Sequence, residues 1–268
     1  MPVTSYAAPP GGMPPPGSPA TGRAVFTDAF AVIPADVQRD IVTSFLPGWS
    51  HTRAWVLARP LSGFAETFSW YAVAMDASAR GAGEPEPGVE GVIFVCKGAI
   101  DLDLGGEGHR LGPGGYAYLG PDAAWTVASA DGAVFQWVRK RYVPGDCSPP
   151  DSFVTRDQDV PPVLMDPTGT WATTRFVDPT DLRHDCHVNI VSFEPGGAIP
   201  FAETHVMEHG IYVLEGQALY LLNQDWVEVG PGDFLWLRAF CPQACVAKGP
   251  GRFRYLLYKD VNRHAVLP

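Results

Sequence analysis

No stretch of this sequence approaches the roughly 18 uninterrupted apolar residues that a membrane-spanning helix needs. The Pro- and Gly-rich opening from Ala7 to Ala20 lacks a basic region followed by an apolar one, so no export signal is read there and a cytoplasmic protein is expected. Basic residues are scarce. There are 19 Lys and Arg against 29 Asp and Glu, a formal net charge of −10, and the longest basic run is Arg139-Lys140-Arg141. A chain so short of positive charge has little attraction for phosphate backbones, so neither nucleic acid nor a membrane is expected as a partner. Cysteine is scarce too. The five present (Cys96, Cys147, Cys186, Cys241, Cys245) are odd in number and scattered, and the near pair Cys241 and Cys245 does not have C-x-x-C spacing. Reduced, mostly buried thiols are expected rather than disulfide staples. Finally, no long segment repeats its apolar residues at the helical period.

What is present instead is a set of short stretches rich in Val, Ile, Phe, Trp and Tyr, punctuated by Gly, Pro and Asp. That pattern predicts an all-β chain. With 268 residues, 46% of them hydrophobic and 18% charged, the chain is long enough for two compact units with real cores. An internal repeat supports two units. Gly98, Pro113, Gly114 and Leu119 recur as Gly216, Pro231, Gly232 and Leu237, each displaced by 118 residues, and Ile93, Val95 and Leu104 recur as Ile211, Val213 and Leu222. The Pro-, Asp- and Ser-rich segment Val143 to Val163 reads as the connection, with a boundary near Ser152. The expected organisation is a Pro/Gly-rich arm at 1–22, a first β-unit at 23–151 and a second at 152–268.

The turn Pro231-Gly232-Asp233, 15 residues after Gly216, resembles the second motif of the cupin superfamily, and Glu203 to Gly216 resembles its first. Cupins are double-sheet barrels of the jelly-roll type. The repeat then implies a bicupin, two tandem jelly-roll-type β-barrels. In Glu203-Thr204-His205-Val206-Met207-Glu208-His209, a strand places Glu203 and His205 on one face. His205 and His209 also have the spacing of a helical zinc motif, but Pro200 before them and Gly210-Ile211-Tyr212-Val213-Leu214 after them favour strand. The cupin pattern expects one more ligand after the motif-two turn, and that position is Gln243. Two imidazoles, a carboxylate and an amide oxygen suit Mn²⁺ or Fe²⁺ better than a closed structural zinc site.

The repeat carries its own control. A shift of 118 puts Pro85, Pro87, Gly91 and Trp125 opposite Glu203, His205, His209 and Gln243, and none of these side chains binds a metal. The second barrel alone is therefore expected to hold the ion. Phe64-Ala65-Glu66-Thr67 echoes Phe201-Ala202-Glu203-Thr204, but at an offset of 137, so Glu66 is given no metal role.

Longer motifs narrow the family. Phe201-Ala202-Glu203-Thr204-His205, Glu208-His209-Gly210, Ala239-Phe240-Cys241-Pro242-Gln243-Ala244 and Tyr255-Leu256-Leu257-Tyr258-Lys259-Asp260 resemble the (S)-ureidoglycine aminohydrolase family, as do Arg23-Ala24-Val25-Phe26 and Ala58-Arg59-Pro60-Leu61-Ser62-Gly63 near the start. The resemblance implies a Mn²⁺-dependent homo-oligomeric hydrolase of purine and allantoin catabolism that converts (S)-ureidoglycine to (S)-ureidoglycolate and ammonia. It implies Glu203, His205, His209 and Gln243 as ligands, and Glu203, Tyr220, Tyr255 and Lys259 as substrate contacts. Lys259, with Glu203, is the candidate for the proton chemistry. Independently, Phe253, Tyr255, Leu257 and Lys259 share one strand face, and a lysine ending an apolar inward row is uncommon. Taken alone, Tyr220 and Tyr255 would read as core aromatics. The other readings open at this point are an Fe²⁺ cupin dioxygenase or isomerase, which more commonly has a third His where Gln243 stands, and a non-catalytic binding or storage module.

Overall fold

The computed structural model describes residues 23–38, 46, 48–83 and 86–260, so the expected arm at 1–22 and Pro85 lie outside the described residues. Two strands, β1 (Val25–Phe26) and β2 (Phe30–Ile33), come first. The first repeat runs through β3 (Ser50–Ala58), β4 (Phe68–Gly83), β5 (Val89–Gly98), β6 (Ile100–Leu104), β7 (Glu107–Leu111), β8 (Gly115–Leu119) and β9 (Trp125–Arg141). The short β10 (Phe153–Arg156) and β11 (Val163–Leu164) lead into β12 (Trp171–Thr174), β13 (His187–Phe193) and β14 (Ala198–Glu203). The second repeat closes with β15 (His209–Glu215), β16 (Gln217–Leu222), β17 (Asp225–Val229), β18 (Phe234–Leu237), β19 (Gln243–Lys248) and β20 (Phe253–Lys259). Apart from these strands, the regular structure among the described residues is two single 3-10 turns, so the chain is all-β, as its sequence pattern predicts. No described helix is long and apolar enough to cross a membrane.

The 118-residue displacement is visible in the backbone. β7 and β17 coincide residue for residue under it. Gly98 and Gly216 both have positive φ, +70° and +76°, and a Cβ on either would fall 2.2 Å from a backbone oxygen, that of Gly132 or Arg252. Only glycine makes that turn without a clash.

The two repeats differ in how their sheets close. In the first, β4 and β9 are 16 and 17 residues long and run on from one side of the barrel to the other, giving one continuous sheet in the order β10-β8-β5-β9-β4-β3, with β6 joining β9 and β7 joining β6. In the second, the same two lengths of chain are broken, between β13 and β14 by Glu194 to Gly197 and between β19 and β20 by Gly249 to Arg252. The second repeat therefore has two separate sheets, β1-β2-β18-β15-β20-β13-β12-β11 and β14-β19-β16-β17.

Strand pairing also crosses the expected division near residue 152. β2 lies early in the chain but pairs with β18, matching Val32 to Leu235, while β10 pairs with β8, matching Phe153 to Tyr118. Each repeat covers one edge of the other, so that a strand of only two or four residues forms the new edge, and short edges offer little to an incoming strand.

Alternation along the strands builds three cores. On β20, Phe253 and Tyr255 face the interior of the second barrel, whereas Leu256 and Tyr258 face the first barrel. Phe68, Trp70, Tyr116, Trp236, Leu256 and Tyr258 form the layer between the barrels. The interior of the first barrel holds Ile93, Val95, Trp125, Phe135 and Trp137. Strands buried on both faces read as near-continuous apolar runs, which is what the sequence of β18, Phe234-Leu235-Trp236-Leu237, displays. Burying each such side chain contributes about 1.5–3 kcal/mol before the entropy of ordering it.

Candidate active site

Glu203, His205, His209, Gln243 and Lys259 lie at or just beyond strand ends of the second barrel, while Tyr220 and Tyr255 stand further along β16 and β20. Glu203 ends β14 and is the Cα partner of Gln243, which begins β19, after a bulge between Ile199 and Glu203. Such a bulge re-aims the side chains that follow it. His205 sits in the loop after β14, with its Nε2 atom 3.2 Å from Glu203 Oε1. The loop is pinned from behind, because the Phe240 N–H donates to the His205 carbonyl at 2.6 Å from a left-handed backbone conformation, φ +65°, that a phenylalanine rarely adopts. His209 opens β15, its ring stacked 5.1 Å from that of His205 at 10°. Across β15 and β20, His209 is the Cα partner of Lys259.

Tyr220 reaches the same place from β16. Its hydroxyl donates to Gln243 Oε1 at 3.0 Å and lies 3.4 Å from the Tyr255 hydroxyl. His209 and Gln243 are buried, while the Glu203 and His205 side chains remain 24% and 32% exposed, so the cluster opens to solvent on their side. That opening suits a small polar ligand.

The electrostatics follow from depth. Burial, with the neighbouring His205 charge, holds the His209 pKa down to about 3, so its imidazole is neutral at physiological pH. Its Nδ1 lies 3.1 Å from the Met207 carbonyl oxygen, which can only accept. Nδ1 therefore carries the proton and Nε2 keeps a free lone pair, the form that binds metals. Burial, and after it the Arg175 charge, lowers the Lys259 ammonium below the usual lysine value. Burial also raises the phenols of Tyr220 and Tyr255, so both stay protonated.

Two groups were given no role by the sequence. Glu208, next to ligand candidate His209, is buried and accepts four hydrogen bonds: Glu66 N at 2.9 Å, Thr67 N at 3.1 Å, Thr67 Oγ1 at 2.7 Å and Trp236 Nε1 at 2.7 Å. Its own N–H donates to Asp260 Oδ1 at 2.8 Å. The first barrel thus grips the segment that carries His209, and the echo at Phe64 to Thr67 supplies backbone donors rather than a ligand. The second group is Glu90, Asp185 and Cys186, the one set among the described residues whose three ligand atoms lie within 4.8 Å of one another. This buried donor set could hold a metal ion. It lies between the barrels, and the Lys140 ammonium already stands 2.6 Å from Asp185 while the Tyr118 hydroxyl donates to Glu90 at 2.6 Å. Burial and then Asp185 push the Glu90 carboxyl up to about 8. Burial works the same way on Asp185, but the Glu90 hydrogen bond and Lys140 outweigh it and hold Asp185 below its usual value. The sequence separation of 95 residues between Glu90 and Asp185 leaves no spacing to read.

A family model described as a cupin domain matches residues 189–258, which contain the whole cluster except Lys259. A rice protein named as a probable (S)-ureidoglycine aminohydrolase is 35% identical over 84% of this chain and 72% of its own. The (S)-ureidoglycine aminohydrolase of Escherichia coli K12 is 30% identical over 87% of this chain and 89% of its own. Among solved structures, a protein from Pseudomonas aeruginosa described as glyoxylate-induced shares 57% identity, with a TM-score of 0.86 over 99% of both chains. With its cupin barrels and a curated relative matched over most of both lengths, the chain belongs to the (S)-ureidoglycine aminohydrolase family.

Proposed function

We propose that this chain hydrolyses (S)-ureidoglycine to (S)-ureidoglycolate and ammonia, using a Mn²⁺ ion held in the second barrel by Glu203, His205, His209 and Gln243. The observation that carries this reading is the connected row in that barrel, in which Glu203 pairs with Gln243, Gln243 with Tyr220 and Tyr220 with Tyr255, while Lys259 stands opposite His209. The residues fit a hard divalent cation: a neutral imidazole with Nε2 free, a second imidazole, a carboxylate, and an amide oxygen whose second lone pair Tyr220 leaves unused. When bound, the ion supplies a Lewis-acidic anchor for the substrate's donor atoms.

The chain's own residues carry the rest. The reacting carbon bears an amine, a ureido nitrogen and a carboxylate. Its bond to the amine nitrogen breaks, a bond to the oxygen of water forms, the amine gains a proton and leaves as ammonia, and the water gives up a proton. Lys259, with its pKa lowered by burial, serves both transfers, giving its proton to the departing amine and taking one from water. Tyr220 and Tyr255, kept protonated, donate hydrogen bonds that fix the substrate's orientation. Glu203, half-buried at the open side, orients the incoming water.

The test is to supply freshly made (S)-ureidoglycine and follow ammonia and chiral ureidoglycolate with Mn²⁺ added or chelated. The reading predicts metal-dependent ammonia release and a single product enantiomer. Ammonia release that stays at the spontaneous rate whatever the metal, or oxygen uptake in place of hydrolysis, contradicts it.

A further inference from the structure

We propose that His187 and Asn189, on β13, form a second polar subsite in the same barrel, one that binds a neutral urea-type group, the ureido end of the substrate. The inference rests on the function proposed above and extends it to residues that neither the motifs nor the metal set include. Registers place them. His187 is the Cα partner of Lys259, and Lys259 is the Cα partner of His209, so one row across β13, β20 and β15 carries all three side chains on the same face. Asn189 lies two residues along, on the same inward face as Val191 and Phe193, which belong to the core of the second barrel. The intervening Val188 and Ile190 point the other way, into the layer between the barrels.

Both side chains are buried, at 3% exposure each, and each has a polar atom without a hydrogen-bond partner, Nε2 of His187 and Oδ1 of Asn189. Buried polar atoms are almost always paired, so two orphans on one inward face, beside a lysine with no ion-pair partner among the described residues, mark a place where a polar ligand completes the bonding. The first barrel offers the contrast. Under the 118-residue shift Asn189 corresponds to Tyr71, which packs against Trp137 at 5.3 Å, so the same spot there is closed by a ring.

The chemistry selects the ligand. Neither His187 nor Asn189 brings a formal charge, so together they suit a planar group with both N–H donors and a carbonyl acceptor. The carboxylate is drawn instead to Lys259 and to Arg175, whose charge already acts on Lys259. A ureido group has the donors and the acceptor that a carboxylate lacks.

The experiment uses two unreactive probes, N-carbamoylglycine, which keeps the ureido end, and N-acetylglycine, which replaces its terminal amine by methyl. Calorimetric binding to the Mn²⁺-loaded protein is measured for wild type, Asn189→Leu and His187→Gln, alongside turnover by wild type and melting of the metal-free proteins. The subsite predicts that wild type prefers N-carbamoylglycine by about tenfold or more, the worth of one buried hydrogen bond. Asn189→Leu should lose that preference and yet melt at or above the wild-type temperature without metal, because it removes an unpaired buried polar group. His187→Gln, which can still hydrogen-bond, should retain part of the preference. If wild type turns over substrate but both variants keep the full preference, the subsite is wrong and the function stands. Lower melting with unchanged preference in Asn189→Leu would make its role structural and overturn the subsite. If wild type neither turns over ureidoglycine nor binds N-carbamoylglycine, the underlying function fails, and the subsite with it.

Discussion

The two barrels share turns and strand order, but the inward positions that hold aromatic rings in one hold polar side chains in the other. In the first, Trp49, Trp125 and Trp137 meet with centroids 5.4–6.1 Å apart and Tyr71 packs on Trp137. Trp125 stands opposite Gln243, and Trp137 opposite Tyr255. Gly91, opposite His209, is a glycine for a spatial reason: a Cβ there would sit 3.0 Å from the Val138 carbonyl oxygen and 3.4 Å from the Trp137 indole nitrogen. The second barrel has polar side chains at the matching inward positions and keeps one side open. A cupin barrel is therefore held up by its turn glycines and apolar alternation, and a handful of inward positions decide whether its interior is core or site.

The strongest way to break that contrast is chemical. Lys259→Met should lower kcat by about 10²–10⁴-fold, the usual contribution of a positioned acid-base group, while leaving Mn²⁺ binding in place. Steady-state kinetics with metal analysis checks both halves. In the first barrel, Trp125→Ala should cost about 3–5 kcal/mol of stability through the cavity it leaves, with KM unchanged below the melting transition. Denaturant unfolding and kinetics on the same preparation test whether that barrel is structural.

A smaller effect probes the layer between the barrels. Because the folded protein holds the Glu90 proton up to about pH 8, while the unfolded chain releases it near the ordinary carboxylate value, the stability due to Glu90 is complete at low pH and is lost as pH rises towards 8. Glu90→Gln should flatten the fall in melting temperature between about pH 6.5 and 8, above the range in which His187 and His209, both lowered to about 3, titrate on unfolding. Smaller still, Thr67→Val should cost about 1.5–3 kcal/mol, the worth of a hydrogen bond to a carboxylate, and should cost much less once Glu208→Gln is present. Additive losses in that double-mutant cycle would deny that the first barrel grips the segment carrying His209.

Much of this contrast can be read in the sequence, and the rest has physical reasons for being hidden. The 118-residue repeat fixes glycine turns and strand faces because both are local, and Glu203, His205, His209 and Gln243 stand out as candidates through the motif and the cupin pattern. Strand exchange cannot be read that way. β2 and β10 are four-residue strands whose partners lie about 200 and 35 residues away, and nothing in a short apolar stretch names its neighbour. Glu208 stands in a motif without a role until Thr67 and Trp236 are brought to it by the packing of the barrels. The aromatic plug is equally hidden, since Trp49, Trp125 and Trp137 read as three separate core residues.

Whether the second barrel alone holds the metal is decided by counting Mn²⁺ per chain in wild type, His209→Ala and Cys186→Ala. A site confined to that barrel gives close to one ion per chain in wild type and in Cys186→Ala, and none in His209→Ala. An ion retained in His209→Ala but lost in Cys186→Ala would place the metal at Glu90, Asp185 and Cys186 instead.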